Sequence, residues 1–526
     1  MTTSTRSTVS DYFEHFATTT PSAPLVRHDG REITYGQAFT TVQQLAGALI
    51  GSGVRRGDRI AVYSNPHADT LILFLAAAQV GAIFVGLNPK QSTDELVHVL
   101  SIAEPTVVFV VGEFDASHTD KVLAAFDQLD PVPRLIGGQT QVFDRPGMDE
   151  FLRANAAGED AVAAARTSIT DSDPVAMVFT SGSSGRPKGA LLASGPMMRS
   201  YAAQAEHWYR RAPRGVADLP INHLGFIGDN CMAVLAGGGS VSVIARWSPE
   251  AVLETIERDR LNFWWTQTTM LLLATRSERW ACTDFSSLDL IGFAGAPLND
   301  EMLVALRATG LPLVTGYGMT EVHGNVTYTD PGDPLPVTQE TVGRPHPGFD
   351  VRVVDDEGTV LPAGEVGEVV IKSPSLFGGY RAADGSIDPA VDGNGYYHTN
   401  DLAYVREDGC LVLAGRKDAM FKSGGYNVYP QEVERALESH PQVANAIVTA
   451  VPDPTWGQVG HAFVKYRGTT PETSELVTYL GEVLANYKIP KQIVALDDLP
   501  MTPSGKIDRR QIASRASIAP ASRTTS

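Results

Sequence analysis

The stretch FTSGSSGRPKGA, Phe179 to Ala190, follows the apolar run VAMVF and leads into ALLA. A nucleotide-triphosphatase P-loop needs its lysine at a helix start, followed by Ser or Thr to meet magnesium. Here Lys188 is followed by Gly189 and then by an apolar run that reads as a strand, so the P-loop reading fails. A solvated linker is disfavoured, because it would interrupt two buried apolar runs. What remains is strand–loop–strand inside an α/β domain. The loop's backbone N–H groups and hydroxyls, with the Lys188 ammonium, suit a triphosphate tail. An isolated loop of this composition is usually a surface loop, so its neighbours must decide.

Upstream, LVRHDGREITY reads as a hairpin about Asp29-Gly30, and Phe39, Val42, Leu45, Ala46, Leu49 and Ile50 make one helical face. RIAVYS follows as a strand. Thr70 to Leu87 carries no charge over 18 residues, yet Gly81 divides it into a buried helix and a β-branched strand rather than a membrane span. Ser248 and Pro249 mark a helix start. Such alternation predicts an α/β fold with mostly parallel sheets covered by helices. From about residue 345 to 361 the texture becomes β-rich, with GEVVIKS and GCLVLAG as short strands. Beyond Lys417 comes a small α+β unit. The expected division is a large domain over 1–417 and a small, mobile domain over 418–526.

The formal charge is 42 minus 60, or −18, which argues against a nucleic-acid or anionic-membrane binder. Any polyanion must be met by a few placed cations. The cysteines Cys231, Cys282 and Cys410 are odd in number and far apart, so neither a disulfide framework nor a metal spacing follows. A reducing, cytoplasmic setting is the expectation. The N-terminus lacks the apolar core of a secretory signal.

Three further segments bear on chemistry. In GYGMTE, Gly316 to Glu321, Tyr317 could stack on a base, Thr320 could bond a phosphate and Glu321 could hold a hard cation. HTNDLAYVREDGCLVLAGRKDAMFKSGGYNVYPQEVE spans His398 to Glu434, and TPSGKIDRR spans Thr502 to Arg510. These segments, in this order and at these separations, resemble the adenylate-forming superfamily of acyl-CoA synthetases, carrier-protein adenylation domains and beetle-type luciferases. The likeness runs from about Tyr12 to Arg510, and acyl-CoA synthetases are the nearest in kind.

The resemblance implies that MgATP activates a carboxylic acid as acyl-AMP with release of pyrophosphate, and that CoA then takes the acyl group. Because two anions meet in the first step, positive charge at the reacting oxygens matters most; the family gives that task to the lysine matching Lys506. Thr180, Ser181, Gly182, Ser183, Ser184, Gly185 and Lys188 match the β,γ-phosphate loop. Gly295, Ala296 and Pro297 match the segment along the adenine. Tyr317 and Gly318 match the adenine-side aromatic step, Thr320 the α-phosphate contact and Glu321 the magnesium ligand. Asp401 and Arg416 match the ribose contacts, Asp418 the hinge of the small domain, and Lys422, Gly424 and Gly425 the segment shaping the pantetheine tunnel. His223, in LPINHLGF, matches a residue near the acyl carboxylate.

Three places depart from the family pattern: Asn400 stands where glycine is usual, Thr268 replaces a common proline, and LLASGPMM after the phosphate loop lacks the usual Thr-His pair. Amino-acid-activating relatives place an aspartate where ungapped matching puts Leu224. A buried ammonium without a counter-charge is strongly disfavoured, so an α-amino acid is not expected, with Asp229 five residues on as the exception to weigh. Phe226, Trp264, Trp265, Phe293 and Met319 are the expected walls of an apolar acid site for an aryl, medium-chain or polycyclic acid, in fatty-acid or secondary metabolism, although Trp264 and Trp265 read equally as core, the commoner case for tryptophan beside a strand. Loading of a freestanding carrier protein is the alternative, and luciferase-like oxygen chemistry a more distant one. A monomer or homodimer is expected.

Overall fold

Positive φ angles of 49° at Asp29 and 74° at Gly30 turn the chain between the antiparallel strands Pro24–His28 and Arg31–Thr34, as a two-residue hairpin loop requires. The computed structural model describes residues 6–137, 147–181, 187–296, 298–423 and 426–500, with Asp508, Arg509, Gln511, Ile512 and Arg515 beyond them. The uncharged Thr70–Leu87 run divides as its composition predicts. Helix Ala68–Val80 is buried all round, Gly81 ends it in the left-handed region at φ 70°, and strand Ile83–Leu87 follows. Among the described residues no helix is long and apolar enough to cross a membrane. Ser248 caps helix Pro249–Arg258 by accepting from the Ala251 N–H at 3.1 Å.

The chain forms two compact units. The first comprises Met1–Leu298, Met302–Asp350 and Lys372–Tyr397. Its eight-stranded sheet has a parallel interior, Pro174–Ser181, Ile83–Leu87, Arg59–Tyr63, Val107–Val110 and Arg134–Ile136 in spatial order. These strands read as unbroken apolar runs because helices cover both faces. A five-stranded sheet begins with the parallel strands Phe263–Gln267, Leu290–Ala294 and Leu313–Met319, and Gly324–Tyr328 then returns antiparallel. A third sheet sets Pro24–His28 parallel to Ser240–Val243, which lies parallel to Arg214–Ala217.

The second unit comprises Asn299–Glu301, Val351–Ile371 and His398–Ser526. One sheet pairs Tyr397–Val405 with Leu411–Arg416 antiparallel. Another joins the long strands Val443–Asp453 and Gly457–Tyr466. Helix Pro430–Glu438 lies on it, burying Val433 and Leu437 in a core with Val443, Val448 and Val464. Ile512 is fully buried beside Ile447 and Phe463, so the chain past Arg510 is anchored at that point.

Candidate active site

The phosphate-loop strand Pro174–Ser181 pairs antiparallel with Pro187–Ala193, setting Thr180 opposite Lys188. These are the two strands that the sequence predicts on either side of the loop. The loop residues Gly182, Ser183, Ser184 and Gly185 lie outside the described residues, as does the Ser181 side chain. The Lys188 ammonium sits 5.2 Å over the Tyr380 ring. Tyr380 donates its hydroxyl to Glu321 Oε1 at 2.6 Å, and the Thr180 hydroxyl reaches the same oxygen at 3.4 Å. Burial and the adjacent carboxylate raise the Tyr380 phenol well above its ordinary range, so it stays a donor.

Glu321 is thus buried at 7 % exposure and held by two hydroxyls from sequence-distant strands. Among the described residues no group of three or more His, Cys, Asp or Glu could cage a metal. A single carboxylate beside a phosphate loop is nevertheless the donor set magnesium takes when substrate phosphates and water complete its octahedron. The residues present therefore fit a nucleotide-borne Mg2+.

His323 escaped the sequence reading. It is fully buried, with φ 59°, directly after the short turn Thr320–Val322. Its Nε2 accepts from the Ala193 N–H at 3.0 Å, and Nδ1 donates to the Ser375 carbonyl at 2.8 Å. The Nε2 contact requires the neutral ring, and burial pulls its pKa down to about 4. His323 therefore ties the Thr320–Glu321 turn to the end of the strand that carries Lys188.

The C-terminal ends of three parallel strands form a ledge. Gln267, Ala294, Gly318 and Met319 are partly exposed after buried stretches, and Gly295 and Ala296 are exposed. Ligands of open α/β sheets bind at this end of the strands. Gly295 has φ +103°, and a Cβ there would sit 2.8 Å from Gln267 Oε1. A Cβ on Gly318 would lie 1.8 Å from the Gly324 carbonyl oxygen, so only glycine fits that step. Tyr317 is buried, its N–H donating to Thr327 Oγ1 at 3.1 Å. Thr268 explains its departure from proline: its hydroxyl bonds the Ala296 and Ala294 carbonyls at 2.7 and 3.1 Å, holding the segment that follows strand Leu290–Ala294. Pro297 lies outside the described residues.

His223 is partly exposed, and its Nδ1 accepts from the Gly225 N–H at 3.1 Å. Four of the expected walls are corrected, since Phe226 and Phe293 are buried in core like the two tryptophans. Trp264 packs among Val252, Ile256 and Ile291, and Trp265 among Trp208 and Val314, on opposite faces of their strand. Alternation along a strand sends consecutive side chains to opposite faces, and both faces here are core.

In the second unit, Asp401 and Arg416 face each other across the strand pair, with Nη1 3.0 Å from Oδ1. Arg416 Nε also bonds Asp418 at 3.1 Å. Asn400 has φ 58°, which shows why glycine suits this position and why Asn, tolerant of the left-handed region, replaces it without displacing Asp401. Lys422 is exposed on Phe421–Ser423. Gly424, Gly425 and Lys506 lie outside the described residues.

The described residues thus bring Thr180, Glu321 and Tyr380 together and line a strand-end ledge with glycines in the first unit, and pair Asp401 with Arg416 in the second. Residues 13–381 match the AMP-binding enzyme family, and residues 432–506 match the AMP-binding enzyme C-terminal domain. The chain belongs to this family, the adenylate-forming superfamily. It is 33% identical over 501 residues to a feruloyl-CoA synthase of Amycolatopsis sp, covering 94% of this chain and 96% of that one. It is 29% identical to an indoleacetate–CoA ligase of Aromatoleum aromaticum, covering 96% and 98%. Its fold matches the o-succinylbenzoate CoA synthetase of Bacillus subtilis in complex with its acyl-adenylate, with TM-score 0.80, 26% identity and coverage of 95% and 97%. The expected α/β fold, AMP-forming acyl-CoA synthetase activity and use of ATP and CoA agree with these relatives.

Proposed function

We propose that this chain is an ATP-dependent acid–thiol ligase that joins an apolar, aryl carboxylic acid to AMP and passes the acyl group to CoA. The observation that carries the reading is the Thr180–Glu321–Tyr380 cluster beside the Gly295–Gly318 ledge: one charged acceptor among phosphate-binding groups, at the strand ends where a nucleotide is expected. The relatives that act on feruloyl and indoleacetate groups support an aryl acid. They lend less support to carrier-protein loading, although a relative of that kind, a fatty acid–[acyl-carrier-protein] ligase, also matches at 29% identity.

In this reading the acid carboxylate attacks the α-phosphorus, the bond to the pyrophosphate oxygen breaks, and its electron pair leaves with pyrophosphate. Thr180 to Lys188 holds the β- and γ-phosphates, Thr320 the α-phosphate, and Lys506 the charge developing between the two anions. Mg2+, held by Glu321, would supply charge neutralisation on the phosphates. Gly295, Ala296, Pro297 and Tyr317 flank the adenine, and Asp401 and Arg416 hold the ribose hydroxyls. In the second step the CoA sulfur attacks the acyl carbon, and AMP leaves with the C–O electron pair. His223 borders the route of the thiol, while the small domain, 418–526, turns at Asp418 to exchange Lys506 for the Lys422–Gly425 segment. We place the enzyme in the cytoplasm as a monomer or homodimer.

Pyrophosphate exchange into ATP, with a panel of acids, tests the first step. Exchange depends on the acid, and Lys506→Ala lowers it at least a hundredfold; full exchange in that variant overturns the assignment. Offering CoA and carrier proteins in turn as acceptors then separates the ligase from the carrier-loading alternative.

A further inference from the structure

The Glu321 carboxylate is held through one oxygen. Tyr380 donates to Oε1 at 2.6 Å, and the Thr180 hydroxyl approaches the same atom at 3.4 Å. Among the described residues no hydrogen bond is given to Oε2. Glu321 is anchored by its backbone as well, since its carbonyl accepts from the Phe377 N–H at 2.9 Å.

Tyr380 is itself fixed from several sides. Strand Tyr380–Arg381 pairs antiparallel with Pro187–Ala193, setting Tyr380 opposite Ala190. Phe377 meets its ring edge-on at 4.7 Å between centroids, and the Lys188 ammonium stands over the ring at 5.2 Å. The Tyr397 hydroxyl lies 3.1 Å from that of Tyr380. Because Tyr380 gives its proton to the carboxylate, Tyr397 is the donor in that contact. The two phenols therefore form a chain of hydrogen bonds ending on Oε1, each strengthening the next.

The consequence concerns which cation Glu321 can take. Each carboxylate oxygen offers about two lone-pair sites, and on Oε1 two hydroxyl donors answer them. Oε2 is left to serve a metal. Mg2+ demands a near-ideal octahedron and is bound through few carboxylates, whereas Ca2+ accepts carboxylates through one oxygen or both in a looser shell. A carboxylate free to turn both oxygens outward suits Ca2+. One pinned by Oε1 suits Mg2+.

We propose that Tyr380 is a positioning residue that sets the cation selectivity of the site: by keeping Oε1 occupied it limits Glu321 to ligation through one oxygen, so that ATP is accepted with Mg2+ in preference to Ca2+. This rests on the acid-ligase reading, in which Glu321 meets the nucleotide's metal, and adds what makes that carboxylate choose between metals.

The test reads binding rather than turnover. Calorimetric titration of the full chain with ATP, without acid or CoA and in saturating Mg2+ or Ca2+, gives a Kd for each metal–nucleotide pair. The wild type binds MgATP at least tenfold more tightly than CaATP. Tyr380→Phe keeps the ring against Phe377 and Lys188 and removes only the donor, and it narrows the ratio to threefold or less. A merely structural role would weaken both pairs alike and leave the ratio unchanged. A wild type that binds both equally, or a ratio that survives in Tyr380→Phe, overturns the proposal. Should Tyr380→Phe fail to fold, Thr180→Val, which withdraws the other donor from Oε1, decides on the same ratio. Absence of MgATP binding to the wild type refutes the ligase reading itself, whereas tight MgATP binding with an unchanged ratio refutes only the role of Tyr380.

Discussion

At the residue scale, His323 shows how a single buried ring makes the site sensitive to acid. In the unfolded chain it titrates near 6.5, and in the fold near 4, because burial disfavours the charged form. Between those values the unfolded state binds more protons, so stability rises with pH there and is lost as pH falls through the window. The shift corresponds to roughly 3 kcal/mol by linkage. Thermal melts from pH 4 to 7 should therefore show a steep acid-side fall in the wild type that His323→Asn flattens; parallel curves would refute this origin. The sequence offered only a weak hint of His323, one residue past GYGMTEV, since its partners Ala193 and Ser375 lie 130 and 52 residues away. Asn400 was the opposite case. Its mismatch with the family glycine was visible in the sequence, and φ 58° supplies the reason.

Elements carry the next level of argument. The final segment is pinned to the second unit by Arg509, which bonds both oxygens of Glu434 at 2.7 and 2.6 Å. Glu434 also accepts from the Val448 N–H at 2.8 Å, joining helix Pro430–Glu438 to strand Val443–Asp453. The Asp508 N–H meets the Pro500 carbonyl at 2.7 Å, fixing where the stretch containing Lys506 leaves and rejoins the fold. Removing the guanidinium leaves a buried carboxylate with only its backbone donor, at a cost of about 1–3 kcal/mol. Arg509→Ala should depress pyrophosphate exchange more than acyl transfer from supplied acyl-AMP to CoA, measured on the same preparation. Equal losses would mark the pair as merely structural. The sequence announced a small α+β unit beyond Lys417. It could not pair Glu434 with Arg509, because nothing local relates residues 75 apart.

For the whole molecule, the expectation is that one chain serves two half-reactions by turning at Asp418. Proline fixes φ and removes an N–H, so Asp418→Pro should arrest the turn. Stopped-flow or quench measurements of each half-reaction should find one of them near its wild-type rate and the other down by at least tenfold. Two intact half-reactions would remove Asp418 from the hinge. The net charge of −18 sets a second condition at this scale. In the proposed reaction a polyanionic nucleotide approaches against the global field, so the cations assigned to it, such as Lys188 in the first unit and Arg416 in the second, would have to act at contact distance, where screening is weakest.

The sequence alone determined what local chemistry determines. Hairpins, caps and helix breaks follow from the backbone freedom of particular residues, as at Asp29–Gly30, Ser248 and Gly81, and the family from motifs whose order is written in the chain. Only the tertiary structure decided which groups meet. Tyr380 and Thr180 join at Glu321 across 59 and 141 residues, Trp264 and Trp265 prove to be core, and Asp229 acquires Tyr201 as a partner. Such meetings depend on how sheets stack and which face of a strand is buried, properties of the packed whole that no segment of the chain encodes by itself.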